Sequence, residues 1–96
     1  MLNVPTLIIH GDHDLVPLEC ARNVADAVSG SRLVVLSDCG HFAFLERPAE
    51  VLDAIVEFGI AFYQRLLVQS DTALGEANLP RAEVEEGLKE LQTRRK

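Results

Sequence analysis

"LIIHGDHDLVP" spans Leu7 to Pro17 and sets a short apolar run directly before His10, Gly11, Asp12, His13 and Asp14. Thr6-Leu7-Ile8-Ile9 follows a proline and precedes a glycine, the pattern of a strand buried on both faces. Asp12 to Pro17 is rich in turn formers. Beyond it, Leu18, Ala21, Val24, Ala25 and Val28 recur at helical spacing, with Glu19, Arg22, Asn23 and Asp26 on the opposite face. Ser29-Gly30-Ser31 stops that helix, and Gly30 suits a left-handed cap. Leu33-Val34-Val35-Leu36 is a second apolar run. Strand, helix and strand at this spacing predict a parallel βαβ unit with a right-handed crossover, so the fold class is α/β.

Ser37 to Arg47 reads as a loop containing Gly40 and His41. Pro48 stands where a first helical residue would, and Glu50 falls in the acidic first turn. Val51, Ile55, Phe58, Phe62 and Leu66 form one stripe, opposed by Glu50, Asp53, Glu57 and Gln64, which predicts a long amphipathic helix on the sheet. Residues 69–79 are polar without a clear period and read as a linker between a domain over residues 1–68 and a helical tail over residues 80–96. That tail pairs Glu85 with Lys89 around a thin stripe of Val84, Leu88 and Leu91, and is expected on the surface or against a partner. Phe42, Phe44 and Phe58 read as core, and Glu46 as a residue that helps begin the long helix.

The 96 residues are enough for one small domain, and their formal charge of -6 argues against nucleic acid or an anionic membrane as partner. The basic cluster Arg94-Arg95-Lys96 reads as a solvated terminus. No apolar stretch has the length of a membrane span, and Met1 to Pro5 lacks the basic and apolar regions of a signal peptide, so a cytoplasmic location is expected. Cys20 and Cys39 are too few and too distant for a thiol motif or zinc cluster. They read as small buried apolar side chains, with a single bridge left open.

The opening stretch admits three readings. A metal site is disfavoured, because His10, Asp12, His13 and Asp14 on a strand end and turn point in different directions. A polar turn is the bland reading, since an Asp before x-x-Pro commonly bonds its own backbone. The catalytic reading depends on placement. Asp14 follows the carboxyl end of the first strand and His41 that of the second, and such loops share one edge of a parallel sheet. A carboxylate and an imidazole meeting there would fix one ring tautomer and leave the other nitrogen as general base.

Two motifs sharpen that reading. Gly11-Asp12-His13-Asp14-Leu15-Val16-Pro17 and Gly40-His41-Phe42…Glu46-Arg47-Pro48 resemble the G-x-x-D-x-x-V-P turn and the G-H-F/W…E-x-P loop of the C-terminal part of the α/β-hydrolase fold, over about Val4 to Phe62. The resemblance implies a partial α/β-hydrolase fold, with a two-stranded βαβ unit, a long helix and an extra tail helix. It implies that Asp14 is the triad acid and His41 the triad base. Asp12 is then a turn residue, His10 a strand-end residue and His13 an exposed neighbour.

The same family places its serine on a G-x-S-x-G elbow ahead of the acid, and no such pentapeptide occurs here. With Asp14 so near the start, the nucleophile and oxyanion donors are expected upstream of Met1, and the isolated chain is expected to be inactive. A small-molecule substrate is then expected only when the N-terminal part is supplied. No cofactor is implied. A two-stranded parallel sheet also leaves unpaired edges, so a homo-oligomer or a partner chain is expected to cover them. The alternatives are a non-catalytic interaction module or relic domain, and, least supported, an acyl- or metal-binding protein.

Overall fold

The computed structural model describes residues 5–95. Met1 to Val4, on which the expected absence of a leader and the start of the family resemblance partly rest, and Lys96 of the basic cluster lie outside them. The chain divides into two units, Met1–Ala54 and Ile55–Lys96.

In the first unit, β1 (Leu7–Gly11) and β2 (Arg32–Leu36) pair in parallel, from Leu7 opposite Arg32 to Gly11 opposite Leu36. Helix α1 (Leu18–Ala27) connects them. Gly30 ends the crossover at φ +75°, where a residue without Cβ carries no steric penalty. The βαβ unit and the α/β class are therefore as the apolar runs predict. The strands are less covered than expected. Leu7, Ile8 and Ile9 are half-buried and Val35 is exposed, because the described elements do not cover both faces of the sheet. Val24 of the expected α1 stripe is also exposed, leaving Ala21 and Val28 as its buried residues. Leu36, Cys39 and Val51 form the core of this unit, with Ile9, Val34 and Ala43 packed against them. A short helix α2 (Ala43–Glu46) interrupts what reads as a loop, and α3 (Pro48–Leu67) then begins at the proline.

Phe42 and Phe44 are 62% and 67% exposed rather than core, and Cys20 is exposed while Cys39 is buried. Composition marks such side chains as apolar, but it does not say whether this chain supplies their cover.

The second unit has a core of its own: Leu66, Leu74 and Val84, packed by Phe62, Tyr63, Leu67 and Leu79. Within α3 the buried residues include Val56 and Ile60 as well as Val51 and Leu66, whereas Ile55 of the expected stripe is half exposed. The apolar face is thus rotated and wider than a single row. Residues 69–79, expected as a linker, contain the six-residue helix α4 (Asp71–Glu76), too short to show a period. The Ser70 hydroxyl caps it by accepting the Ala73 N–H at 3.1 Å. Helix α5 (Arg81–Arg94) sets Val84 into this core at 2% exposure, while most of its other residues stay exposed or half-buried. Gly87 lets the Tyr63 ring approach, and Gly59 does the same for Leu91.

Arg81 donates to the Leu67 carbonyl at 3.1 Å and also to the Gln69 carbonyl and the Asp71 carboxylate, placing a cation at the carboxyl end of α3. Arg94 and Arg95 are exposed, and Arg95 makes a two-point surface ion pair with Glu57, both contacts at 2.7 Å. Among the described residues no helix is long and apolar enough to cross a membrane.

Leu74 is 1% exposed and central to the second core. Leu74→Ala is expected to lower stability by about 2–5 kcal/mol through lost burial and a residual cavity. Urea unfolding followed by circular dichroism measures it, and a loss under about 1 kcal/mol would mean that this core is loosely packed.

Candidate active site

Parallel pairing brings the segments after β1 and β2 to one sheet edge, and backbone bonds then sew them together. The Asp12 N–H donates to the Leu36 carbonyl at 3.0 Å and the His13 N–H to the Cys39 carbonyl at 2.8 Å. Gly11 is required at this junction: a Cβ there would lie 2.3 Å from the Cys39 carbonyl oxygen and 2.4 Å from that of Gly40.

Asp14 and His41 meet across the two loops. Imidazole Nδ1 lies 3.0 Å from both carboxylate oxygens. A carboxylate only accepts, so Nδ1 carries the proton and donates, and in the neutral ring Nε2 holds the lone pair. The Asp14 side chain is 6% exposed and the His41 side chain 58% exposed, so the acid is sheltered and the ring reaches outward. The Val16 N–H donates to Asp14 Oδ1 at 2.9 Å. That bond first, and the His41 bond after it, hold the Asp14 carboxyl below the usual carboxylate range, against the opposing pull of burial. The turn-former reading and the imidazole contact are thus both realised, on one carboxylate.

The other polar residues of the stretch have separate tasks. His10 is buried at 8% exposure. Its Nε2 donates to the Val16 carbonyl at 2.9 Å and its Nδ1 lies 3.9 Å from Asp14 Oδ2, so it supports the turn from beneath. His13 is exposed, with Nε2 3.6 Å from Asp12 Oδ1. Asp12 does more than form a turn: Oδ1 accepts the Cys39 N–H at 3.2 Å, which holds its carboxyl below the usual range. Among the described residues no three His, Cys, Asp or Glu side chains gather to hold a metal ion.

Three further features of the His41 loop are not visible in the pattern. Glu46 does not begin the long helix; it closes α2 and accepts the Gly40 N–H through Oε1 at 2.9 Å. Arg47 donates to the Asp38 carbonyl through Nε at 3.2 Å and Nη2 at 2.9 Å, and pairs with the Asp38 carboxylate at 2.9 Å. Asp38 is left-handed at φ +52°, so the guanidinium braces the turn that launches Cys39-Gly40-His41. Phe42 sets its ring edge-to-face on His41, centroids 5.2 Å apart. The signal available in the sequence was Glu46-Arg47-Pro48 itself, charged residues one short helix after a Gly-His pair. The buried Cys39 thiol is pushed up by burial and stays protonated beneath this loop.

The sequence is similar to parts of several known proteins. The chain is 38% identical over 56 residues to the 2-hydroxy-6-oxo-6-(2'-aminophenyl)hexa-2,4-dienoic acid hydrolase of Metapseudomonas resinovorans, covering 57% of this chain and 19% of that protein. It is 40% identical over 58 residues to the monoacylglycerol lipase ABHD6 of Mus musculus, covering 59% and 17%. It is 37% identical over 57 residues to the proline iminopeptidase of Saccharolobus solfataricus, covering 59% and 18%. The chain therefore spans about a fifth of the length of the curated relatives it matches. No solved structure gives a significant match. A family model described as a family of unknown function, DUF6483, matches residues 43–96. With the matched residues covering more than half of its length, the chain belongs to the DUF6483 family of unknown function, and it also carries a partial α/β-hydrolase segment.

Proposed function

We propose that this chain supplies the acid–base arm of a Ser-His-Asp hydrolase site. The observation that carries the reading is the 3.0 Å contact of His41 Nδ1 with both oxygens of the sheltered Asp14 carboxylate. His41 Nε2 takes the proton of a serine hydroxyl and returns it to the leaving group, while Asp14 holds the ring and stabilises the imidazolium. The substrate is a small molecule carrying an ester, amide, epoxide, lactone or cleavable carbon–carbon bond. The serine and the oxyanion donors come from the N-terminal part of such a hydrolase, because these 96 residues contain no G-x-S-x-G. A partner chain or a second copy covers the open sheet edges. Both cysteines are free, which favours a reducing, cytoplasmic setting.

With an activated ester, the purified chain is expected to give no turnover above an Asp14→Ala, His41→Ala control. Adding the N-terminal part of a hydrolase relative is expected to raise turnover only with the unmodified chain. Equal turnover with the double variant would overturn the assignment.

A second reading has its own support. The match to a family of unknown function runs from residue 43 to 96, and the second unit has a separate core around Leu74 and Val84. A non-catalytic interaction module is the function this favours. Failure of complementation, together with stable self-association of the chain, would select it.

A further inference from the structure

We infer that Asp12 and Glu46 are positioning residues that hold the two consecutive amides ahead of His41 and thereby set its ring against Asp14. The inference rests on the acid–base reading of Asp14 and His41. The Cys39 N–H goes to Asp12 Oδ1 at 3.2 Å and the Gly40 N–H to Glu46 Oε1 at 2.9 Å. One carboxylate comes from the turn after β1 and the other from α2, so the segment is gripped from two separate places in the chain. Hydrogen bonds to ionised acceptors are roughly twice as strong as neutral ones.

The other polar groups of the segment are held as well. The Cys39 carbonyl accepts the His13 N–H at 2.8 Å, and the Asp38 carbonyl accepts from Arg47 at 2.9 Å. The Asp38–Cys39 and Cys39–Gly40 peptides are therefore tied on both sides, which fixes the backbone one peptide ahead of the ring's own residue. Gly40 belongs to the same device. A Cβ at that position would lie 2.8 Å from Glu46 Oε2, so the missing side chain is what lets the carboxylate close on the amide. Neither carboxylate bonds the imidazole itself; each acts through the backbone.

The test reads which ring nitrogen of His41 carries the proton, by long-range proton–nitrogen correlation spectroscopy on the nitrogen-labelled chain at pH 8. The unmodified chain is expected to show the proton on Nδ1. In the Asp12→Ala, Glu46→Ala double variant that preference is expected to be lost to a mixture of tautomers. The Asp12→Asn, Glu46→Gln variant is expected to restore it, because an amide oxygen still accepts the two N–H bonds. A folded double alanine variant with the Nδ1 proton intact would overturn the clamp and leave the acid–base reading standing. An unmodified chain without the Nδ1 proton would overturn that reading, and the clamp with it. Should the alanine variant unfold, amide exchange in the unmodified chain decides. Protection of Cys39 and Gly40 by about tenfold or more supports the clamp, and unprotected amides overturn it.

Discussion

His41→Ala is expected to lower kcat/KM by about 10⁶-fold in a chimera in which the matching segment of this chain replaces that of a hydrolase relative, and Asp14→Ala by about 10⁴-fold. The asymmetry follows from the geometry. On the proposed acid–base reading His41 is the group that moves the proton, so its loss leaves a serine hydroxyl with no base. Asp14 orients the ring through Nδ1 at 3.0 Å and stabilises its charge, so its loss leaves a base that is present but in mixed tautomers. Binding and oxyanion stabilisation come from the relative and persist, which sets the floor. Steady-state kinetics on an ester of that relative measures both effects. Losses under about tenfold for either variant would show that the pair does not take part in the chemistry.

The second large effect is expected at Gly11. Gly11→Ala brings a methyl group to 2.3 Å from the Cys39 carbonyl oxygen and 2.7 Å from the Cys39 carbonyl carbon, and neither is a flexible side-chain end that can swing aside. The two loops have to separate, and the 2.8 Å bond from the His13 N–H to the Cys39 carbonyl goes with them. A destabilisation of about 3 kcal/mol or more is expected, at the upper end of overpacking costs. Gly30→Ala is the control. Its Cβ meets no atom within 4 Å, so only the left-handed backbone at φ +75° is penalised, at about 1–2 kcal/mol. Urea denaturation compares the two, and equal losses would show that the loops do not press on Gly11.

These expectations differ in how much of their basis was legible in the sequence. The apolar runs, the turn residues between them and the stop at Gly30 announce the βαβ unit, because each rests on local chemistry that needs no knowledge of the neighbours. The meeting of Asp14 and His41 was legible as well, since parallel pairing sends both loops to one edge whatever the side-chain details. Asp12 and Glu46 were not. A loop carboxylate that accepts a distant backbone amide leaves the same mark as one that faces water. Phe42 and Phe44 failed differently: hydrophobicity records that a residue needs cover, not which polypeptide provides it. Helix α4 was missed because one turn and a half carries no readable period, and its buried Leu74 is a single apolar letter in a polar run.

The exposed apolar residues carry a consequence for chemistry. Leu15 is 98% exposed beside Asp14, Phe42 is 62% exposed against the imidazole, and Phe44 and Leu45 stand open on α2. A surface that sheathes Phe42 also displaces solvent from the outward ring of His41 beside it. The local dielectric constant then falls, and the pull of the Asp14 anion on a protonated imidazole strengthens without either group moving. Cover over Phe42 and a stronger attraction between residues 14 and 41 are thus coupled through hydration.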